Sequence, residues 1–211
     1  MEILYFSSLA STQTYLYEAI KTQKHLAPLA VISPIQYAGK GSRDNTWTGE
    51  EGNFFASFAI DIQDLPQDLP LSSASIYFSF LMKESLEDLG ENLWLKWPND
   101  FYQNEHKIGG TMTQKVKNTL ICGIGINLKA QNKTYKGLNS PIEPKKLLET
   151  YLLKLEAFPL WEEVFAKYQK EFPRSKHYHT HIKGKKISLK NAILCKDGSL
   201  LLEGEKVFSL R

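Results

Sequence analysis

Apolar and polar positions change period several times along the chain, and each change marks an element. Glu2–Phe6, Pro28–Ile35 and Asn53–Asp61 have strand composition, the last carrying Phe54, Phe55 and Phe58. Thr119–Asn127 is a longer apolar run with glycines at 123 and 125, which predicts a buried strand closely approached by another group. Between these runs the spacing turns helical over about Gln13–Lys24, Ser72–Leu89, Glu143–Glu156 and Leu160–Phe172. Ser11 or Thr12 is the expected N-cap of the first helix, and Pro144 suits the opening turn of the third. Ile76, Phe80 and Leu81 should share one side of the second, with Gly90 as its stop. Gln63–Leu71, with two prolines, reads as a linker, Ala130–Ser140 as a loop, and Lys115–Asn118 as a hairpin turn. From Lys183 onward the pattern is short strands: Lys186–Lys190, Ala192–Cys195, Ser199–Leu202 and Lys206–Ser209, with Lys196-Asp197-Gly198 as a turn. The order predicts an α/β (α+β) fold, a mixed β-sheet flanked by helices and followed by a small β unit.

At 211 residues, 42% hydrophobic and 23% charged, the chain has the composition of a globular protein able to bury a sizeable core. A net charge of +3 suits an anionic ligand as well as a nucleic acid and decides neither. Cys122 and Cys195 lie far apart, and Cys122 sits in an apolar run, which points to buried reduced thiols. The N-terminus lacks the basic and long apolar regions of a leader, and no run approaches membrane-spanning length, so a cytoplasmic protein is expected.

The densest chemistry lies between Lys96 and Gly110, in KWPNDFYQNEHKIGG. Leu93–Trp97 has strand character, and Pro98, with no N–H to donate, ends its ladder. Asn99 and Asp100 are then expected to leave the strand as polar groups on a turn. Asp100 suits a hard cation such as Mg²⁺, and Lys107 a phosphate or carboxylate. Gly109-Gly110 would let a ligand lie against the backbone. The plain reading of the same residues is a β-hairpin turning at Gln103-Asn104-Glu105. A second candidate is the Gly39-Lys40-Gly41 loop with Arg43 and Trp47, whose N–H groups and cations could wrap an anion, though most such loops are only turns. His177, His179 and His181 alternate as on one face of a strand, a pattern open to metal binding, but a solvated turn is the preferred reading because no cysteine or carboxylate lies nearby in sequence.

Lys-Trp-Pro-Asn-Asp followed by Lys-Ile-Gly-Gly closely resembles the signature of the biotin protein ligases, the biotin–[acetyl-CoA-carboxylase] ligases. Ser11-Thr12-Gln13 before a helix, the loop Gly39–Trp47 and Gly123-Ile-Gly-Ile-Asn127 resemble three more stretches of that family in the same order, so the resemblance runs from Ser7 to Arg211. It implies a class II aminoacyl-tRNA synthetase/biotin ligase-like catalytic domain over residues 1–180 and a shortened SH3-like β barrel over 183–211, with no DNA-binding domain ahead of them. The activity implied is ATP-dependent attachment of biotin, through biotinoyl-5′-AMP, to a lysine of the biotin carboxyl carrier protein domain of acetyl-CoA carboxylase, with Mg²⁺ bound at Asp100. Lys107 and Arg43 would be catalytic. Ser11, Thr12, Gln13, Gln36, Gly39, Lys40, Gly41, Ser42, Lys107 and Gly110 would meet biotin. Lys40, Arg43, Trp47, Asn99, Asp100, Lys107 and Asn127 would meet ATP. Neither DNA nor membrane is an expected partner, and the sequence leaves open whether the chain pairs as a homodimer. A lipoate or octanoate protein ligase or transferase of the same fold, and a non-catalytic biotin-binding module, remain as alternatives.

The loop departs from the family pattern: Lys40 and Arg43 keep positive charge, whereas Ser42 and Asn45 replace arginines. Each charge-assisted contact to a phosphate is worth about 1.5–3 kcal/mol, so fewer of them should leave retention of a reactive adenylate resting on Arg43. Arg43→Gly is expected to make the adenylate but to leak it onto bystander lysines. Biotin incorporated into a non-substrate protein measures this; labelling at the wild-type level with adenylate formation intact would show that Arg43 is no latch.

Overall fold

The structure, a computed structural model, describes residues 1–41, 46–49, 51–129, 136–182 and 184–208. Ser42, Arg43 and Asn45, together with Lys183, lie outside the described residues.

A seven-stranded sheet in the order β1-β2-β5-β9-β8-β7-β6 forms the centre. Its strands are β1 (Glu2–Tyr5), β2 (Leu29–Ile32), β5 (Phe54–Asp61), β6 (Trp94–Lys96), β7 (Asp100–Gln103), β8 (His106–Val116) and β9 (Thr119–Ile126). Only β1 and β2 pair in parallel, which makes the sheet mixed. The chain from β6 to β9 is a meander of tight hairpins, two of which turn through Asn104 and Lys117 at positive φ. The plain hairpin reading and the signature reading of the Lys96–Gly110 stretch therefore describe the same residues. Asp100 opens β7 rather than standing free on the turn, because the turn is spent on Trp97–Asn99.

Side-chain alternation divides the sheet into two faces. Phe54, Ala56, Phe58 and Ile60 of β5, with Leu120, Cys122, Ile124 and Ile126 of β9, face the main core. There they meet α2 (Ala74–Asp88), α3 (Pro144–Glu156) and α4 (Trp161–Ser175). Ala59 and Ile121 face the other way, under Leu16 and Ile20 of α1 (Thr12–Lys21). Helix α2 departs from the one-sided expectation. Ile76, Tyr77, Phe78, Phe80, Leu81 and Met82 are all buried, so it is wrapped on every side by the sheet and by α3 and α4. Its Lys83 is buried too, and bonds Glu87 at 2.8 Å and Glu171 of α4 at 2.6 Å. The linker Gln63–Leu71 is likewise tied down, with Leu65 and Leu69 in the core.

Two further corrections concern the predicted loops. The stretch from Gln36 is an antiparallel ribbon of β3 (Gln36–Lys40) and β4 (Thr46–Gly49), packed beside α1. Its glycine-rich composition reads as a loop, but Gly39 is needed where the backbone of Trp47 comes too close for a Cβ. The histidine run is not a solvated turn throughout. His179 and His181 lie on β10 (His179–Ile182), paired with β11 (Lys185–Ser188), while His177 precedes the strand.

After these come β12 (Ile193–Leu194), β13 (Leu200–Leu202) and β14 (Glu205–Val207), which form a three-stranded antiparallel sheet. Its Leu200, Leu202 and Val207, with Leu189 and Ala192 just ahead of it, join the main core. The turn Lys196–Gly198 is bound by polar contacts as well. Trp161 donates its indole N–H to Lys196 O at 3.0 Å, Trp97 donates to Gly198 O at 2.9 Å, and Ser73 donates its hydroxyl to Asp197 O. No helix among the described residues is long and apolar enough to cross a membrane.

Gly198 has φ +77°, and a Cβ there would run into Ser73. Gly198→Ala combines left-handed strain of about 1–3 kcal/mol with that collision. Urea unfolding should show a loss of at least that size. An unchanged midpoint would mean that the turn is not held tightly against the main core.

Candidate active site

Strand register alone builds the floor of a slot. Asp100 of β7 stands opposite Gly110 of β8, Gly110 opposite Gly125 of β9, and Gly125 opposite Phe55 of β5. Two residues along β9, Gly123 stands between Met112 and Ser57. Side chains are missing at three central positions of this floor, and for different reasons. A Cβ on Gly123 would strike the Gln13 amide, and one on Gly125 would press the Trp47 indole at 3.2 Å. At Gly110 the nearest neighbours of a Cβ would be 3.7 Å away, so the fold itself leaves room there.

The roof at one end is the start of α1. Ser11 caps it, accepting from Thr14 N at 3.3 Å. Thr12 donates its backbone N–H to Gln36 Oε1 at 2.7 Å and its hydroxyl to the same atom at 3.1 Å. The Thr12 and Ser57 hydroxyls lie 2.9 Å apart. With its carbonyl oxygen engaged, Gln36 keeps its NH₂ as a donor for the slot. Gln13 differs. Both its Oε1 and Nε2 are buried with no hydrogen-bond partner, and so is Trp47 Nε1. Each buried polar group left unsatisfied costs about 1–3 kcal/mol, which identifies this end as shaped for a polar ligand with both donors and acceptors.

A charge clamp closes the other end. Asp100 Oδ1 lies 2.6 Å from Lys107 Nζ, and Oδ2 lies 3.0 Å from Lys96 Nζ. The lysines are unequal: the Lys96 side chain is 10% exposed, and that of Lys107 is 43% exposed. Burial pushes the Asp100 carboxyl up, but the Lys107 and then the Lys96 ammonium outweigh it and hold the group below the usual carboxylate range. Asn99 fastens the turn by donating its side-chain amide to Thr111 O, while Thr111 N donates back to Asn99 O at 3.0 Å.

Mg²⁺ does not fit Asp100 as the site stands. Both carboxylate oxygens are engaged by ammonium groups, and Asp100 is the only carboxylate among the described residues lining the slot. Among the described residues no group of three His, Cys, Asp or Glu is placed to hold a metal.

The slot brings together Ser11, Thr12, Gln13, Gln36, Lys40, Gly41, Trp47, Asn99, Asp100, Lys107 and Gly110 of the expected residues. Gly39 and Asn127 are not among its walls. Asn127 instead donates its side-chain amide to Lys136 O at 3.1 Å and pins the returning chain. Ser42 and Arg43 lie outside the described residues. Sequence reasoning missed Ser57, Thr111 and Met112 as slot residues. Ser57 had a signal, a lone hydroxyl inside an aromatic strand; Thr111 and Met112 had none.

The biotin/lipoate A/B protein ligase family matches residues 5–130. The biotin acetyl coenzyme A carboxylase synthetase of Helicobacter pylori, solved with biotinylated ATP bound, is similar with TM-score 0.93 and 39% sequence identity, over 98% of this chain and 99% of that one. A biotin–[acetyl-CoA-carboxylase] ligase of Paracoccus denitrificans is 32% identical over 133 residues, which are 57% of this chain and 53% of the relative. Biotin–protein ligase 2 of Arabidopsis thaliana is 30% identical over 114 residues, 49% of this chain and 34% of the relative. The chain thus spans between about a third and a half of the length of these curated relatives. With the family matching more than half of its residues, over the segment that builds the slot, the chain belongs to the biotin/lipoate A/B protein ligase family.

Proposed function

We propose that the chain activates biotin with ATP and transfers it to a lysine of a biotin carboxyl carrier domain. The observation that carries this reading is a slot with an unpaired buried amide at one end and a lysine–aspartate–lysine clamp at the other. A ureido ring offers two N–H donors beside a carbonyl acceptor. Gln13 can meet it with both of its amide atoms, and Ser11, Thr12 and the Gln36 NH₂ stand around it. The valeryl chain then runs over Gly110 and delivers the carboxylate to Lys107. A carboxylate oxygen bonds to the α-phosphorus, the bond from that phosphorus to the bridging oxygen breaks, and pyrophosphate leaves with the electron pair. A carrier lysine next attacks the acyl carbon of the anhydride, and AMP departs.

The protein's own contribution is alignment and charge. Lys107 is the more exposed of the two cations and meets the reacting oxygens; Asp100 aims it. Trp47 lies against bare Gly125 and supplies the aromatic wall for the adenylate. Asn127 would act on the nucleotide by fixing the chain that returns past the site. Mg²⁺ would arrive on the nucleotide phosphates, where it neutralises charge. The carrier domain is the proposed macromolecular partner and the cytoplasm the proposed compartment, and we read residues 183–211 as a small SH3-like unit docked on a catalytic unit of residues 1–180.

A lipoate or octanoate ligase of the same family would bring an apolar tail with nothing to satisfy the Gln13 amide. Labelled biotin and labelled octanoate, offered in competition with ATP and a carrier domain, distinguish the two; preferential octanoate transfer would overturn the reading. Lys107→Ala should fold and lose about 10²–10³ in adenylate formation, followed by pyrophosphate release. Pyrophosphate release near the wild-type rate would remove Lys107 from its role.

Gly110→Ala provides a sharper test, because the fold has space for the methyl and the ligand does not. Unfolding should stay within about 0.5 kcal/mol of wild type, while kcat/KM for biotin drops by about 10–200-fold. A folded variant with unchanged kcat/KM would mean that the acyl chain does not cross this glycine.

A further inference from the structure

Behind the clamp the structure opens a second recess. It shares Lys107 and Asp100 with the slot, and its far wall is the β10–β11 ribbon, which contributes His179, His181 and Lys186. It is the roomier of the two, about 370 Å³ against about 60 Å³. Its lining includes Lys96, Lys107 and Lys186 and, among the described residues, a single carboxylate, Asp100, already bonded to two of them. Tyr102 adds a phenol whose pKa is pushed up to about 12 by burial and by the Asp100 charge, so it remains a protonated donor.

We propose that this recess binds a diphosphate group: the β- and γ-phosphates of the nucleotide, and the pyrophosphate they become. The source of the diphosphate rests on the adenylation reading above; the site itself rests on its own cations. Attacking and leaving oxygens lie roughly in line across a phosphorus in phosphoryl transfer. Lys107 stands between slot and recess and lines both, so a carboxylate approaching from the slot drives the leaving group toward the recess. The charge supply agrees with this. The loop after Gly39 offers only Lys40 and Arg43, whereas the β10–β11 ribbon brings an ammonium and two imidazoles to the other side of Lys107. Lysine serves such a group as a point charge, and an imidazole carries a donor N–H in either protonation state. Charge that the loop lacks is thereby supplied by the C-terminal part of the chain.

The test is calorimetric titration of the full chain with inorganic pyrophosphate, without biotin or nucleotide, followed by steady-state kinetics. His179→Gln, His181→Gln and Lys186→Met combined should weaken pyrophosphate binding by about tenfold or more and leave biotin affinity unchanged. Lys186→Arg alone should keep most of it. If the recess holds the nucleotide's own β- and γ-phosphates, the triple variant also raises KM for ATP. If it takes only the free product, KM is unmoved and product inhibition alone weakens. Pyrophosphate affinity unchanged in the triple variant would overturn the proposal. So would sulfate binding as tightly at equal ionic strength, or a single-stranded oligonucleotide binding more tightly than pyrophosphate. Failure of the two readings is distinguishable. Pyrophosphate bound at the ribbon with no adenylate formed from biotin and ATP removes the ligase reading alone. Adenylate formed with pyrophosphate affinity indifferent to the ribbon removes the recess alone.

Discussion

The outer edge of β6 is the constraint on which the site depends. This three-residue strand ends the sheet, and the turn that follows, Trp97–Asn99, leads straight into Asp100 at the start of β7. An edge strand leaves backbone N–H groups without ladder partners, and here α4 supplies side chains in place of a neighbouring strand. Glu171 accepts from Leu95 N at 3.2 Å, and Ser175 accepts from Trp97 N at 3.0 Å. Glu171 is held in turn by buried Lys83 of α2. Trp97 is fixed from the far side by Gly198 of the C-terminal turn. Helices and the C-terminal turn therefore converge on the end of this strand and on Trp97, three residues before the carboxylate of the clamp.

That carboxylate organises two unequal lysines. Lys96 is nearly buried and has little freedom, so it fixes one oxygen of Asp100 permanently. The other oxygen is then oriented toward Lys107, whose ammonium is exposed enough to exchange the aspartate for a ligand anion. A lone exposed lysine would sample many rotamers, and holding it in one place would cost side-chain entropy. The aspartate meets that cost during folding. The same pairing lowers the Asp100 pKa, so protonation undoes the clamp at a lower pH than it would neutralise an unpaired carboxylate.

Much of this architecture is legible in the sequence because it is local. The strand character of Leu93–Trp97, the interruption at Pro98 and the helix cap at Ser11 depend on neighbours a few residues away, and each element forms where its pattern places it. What escaped is tertiary. The ribbon of β3 and β4 reads as a loop because glycines chosen for close approach look the same as glycines chosen for turns. Helix α2 shows little one-sidedness because it is buried on every side, and a helix wrapped on all faces carries no amphipathic stripe. Met112 enters the site only through strand register, opposite Gly123 across β8 and β9, which no spacing in the chain encodes. The alternation of His179 and His181 was visible, but the surface they share with Lys107 is made by a fold-over of more than seventy residues.

The unsatisfied atoms and the bare glycines of the slot are two sides of one physical argument. Burying the Gln13 amide and the Trp47 N–H without partners costs the fold several kcal/mol, roughly 1–3 for each group. Glycine at 110, 123 and 125 adds entropic cost in the middle of strands that would gain from β-branched residues. A chain selected for stability alone would fill the strip and pair or remove the polar atoms. Here both costs fall on the same few square ångströms of sheet, between a helix N-terminus and a charge clamp. A ligand that is polar at its head, slender in the middle and anionic at its tail recovers both at once: it satisfies the orphaned groups, packs against the backbone, and takes Lys107 from Asp100. Stability forgone at the slot is in this sense binding energy held in reserve for a molecule of that shape.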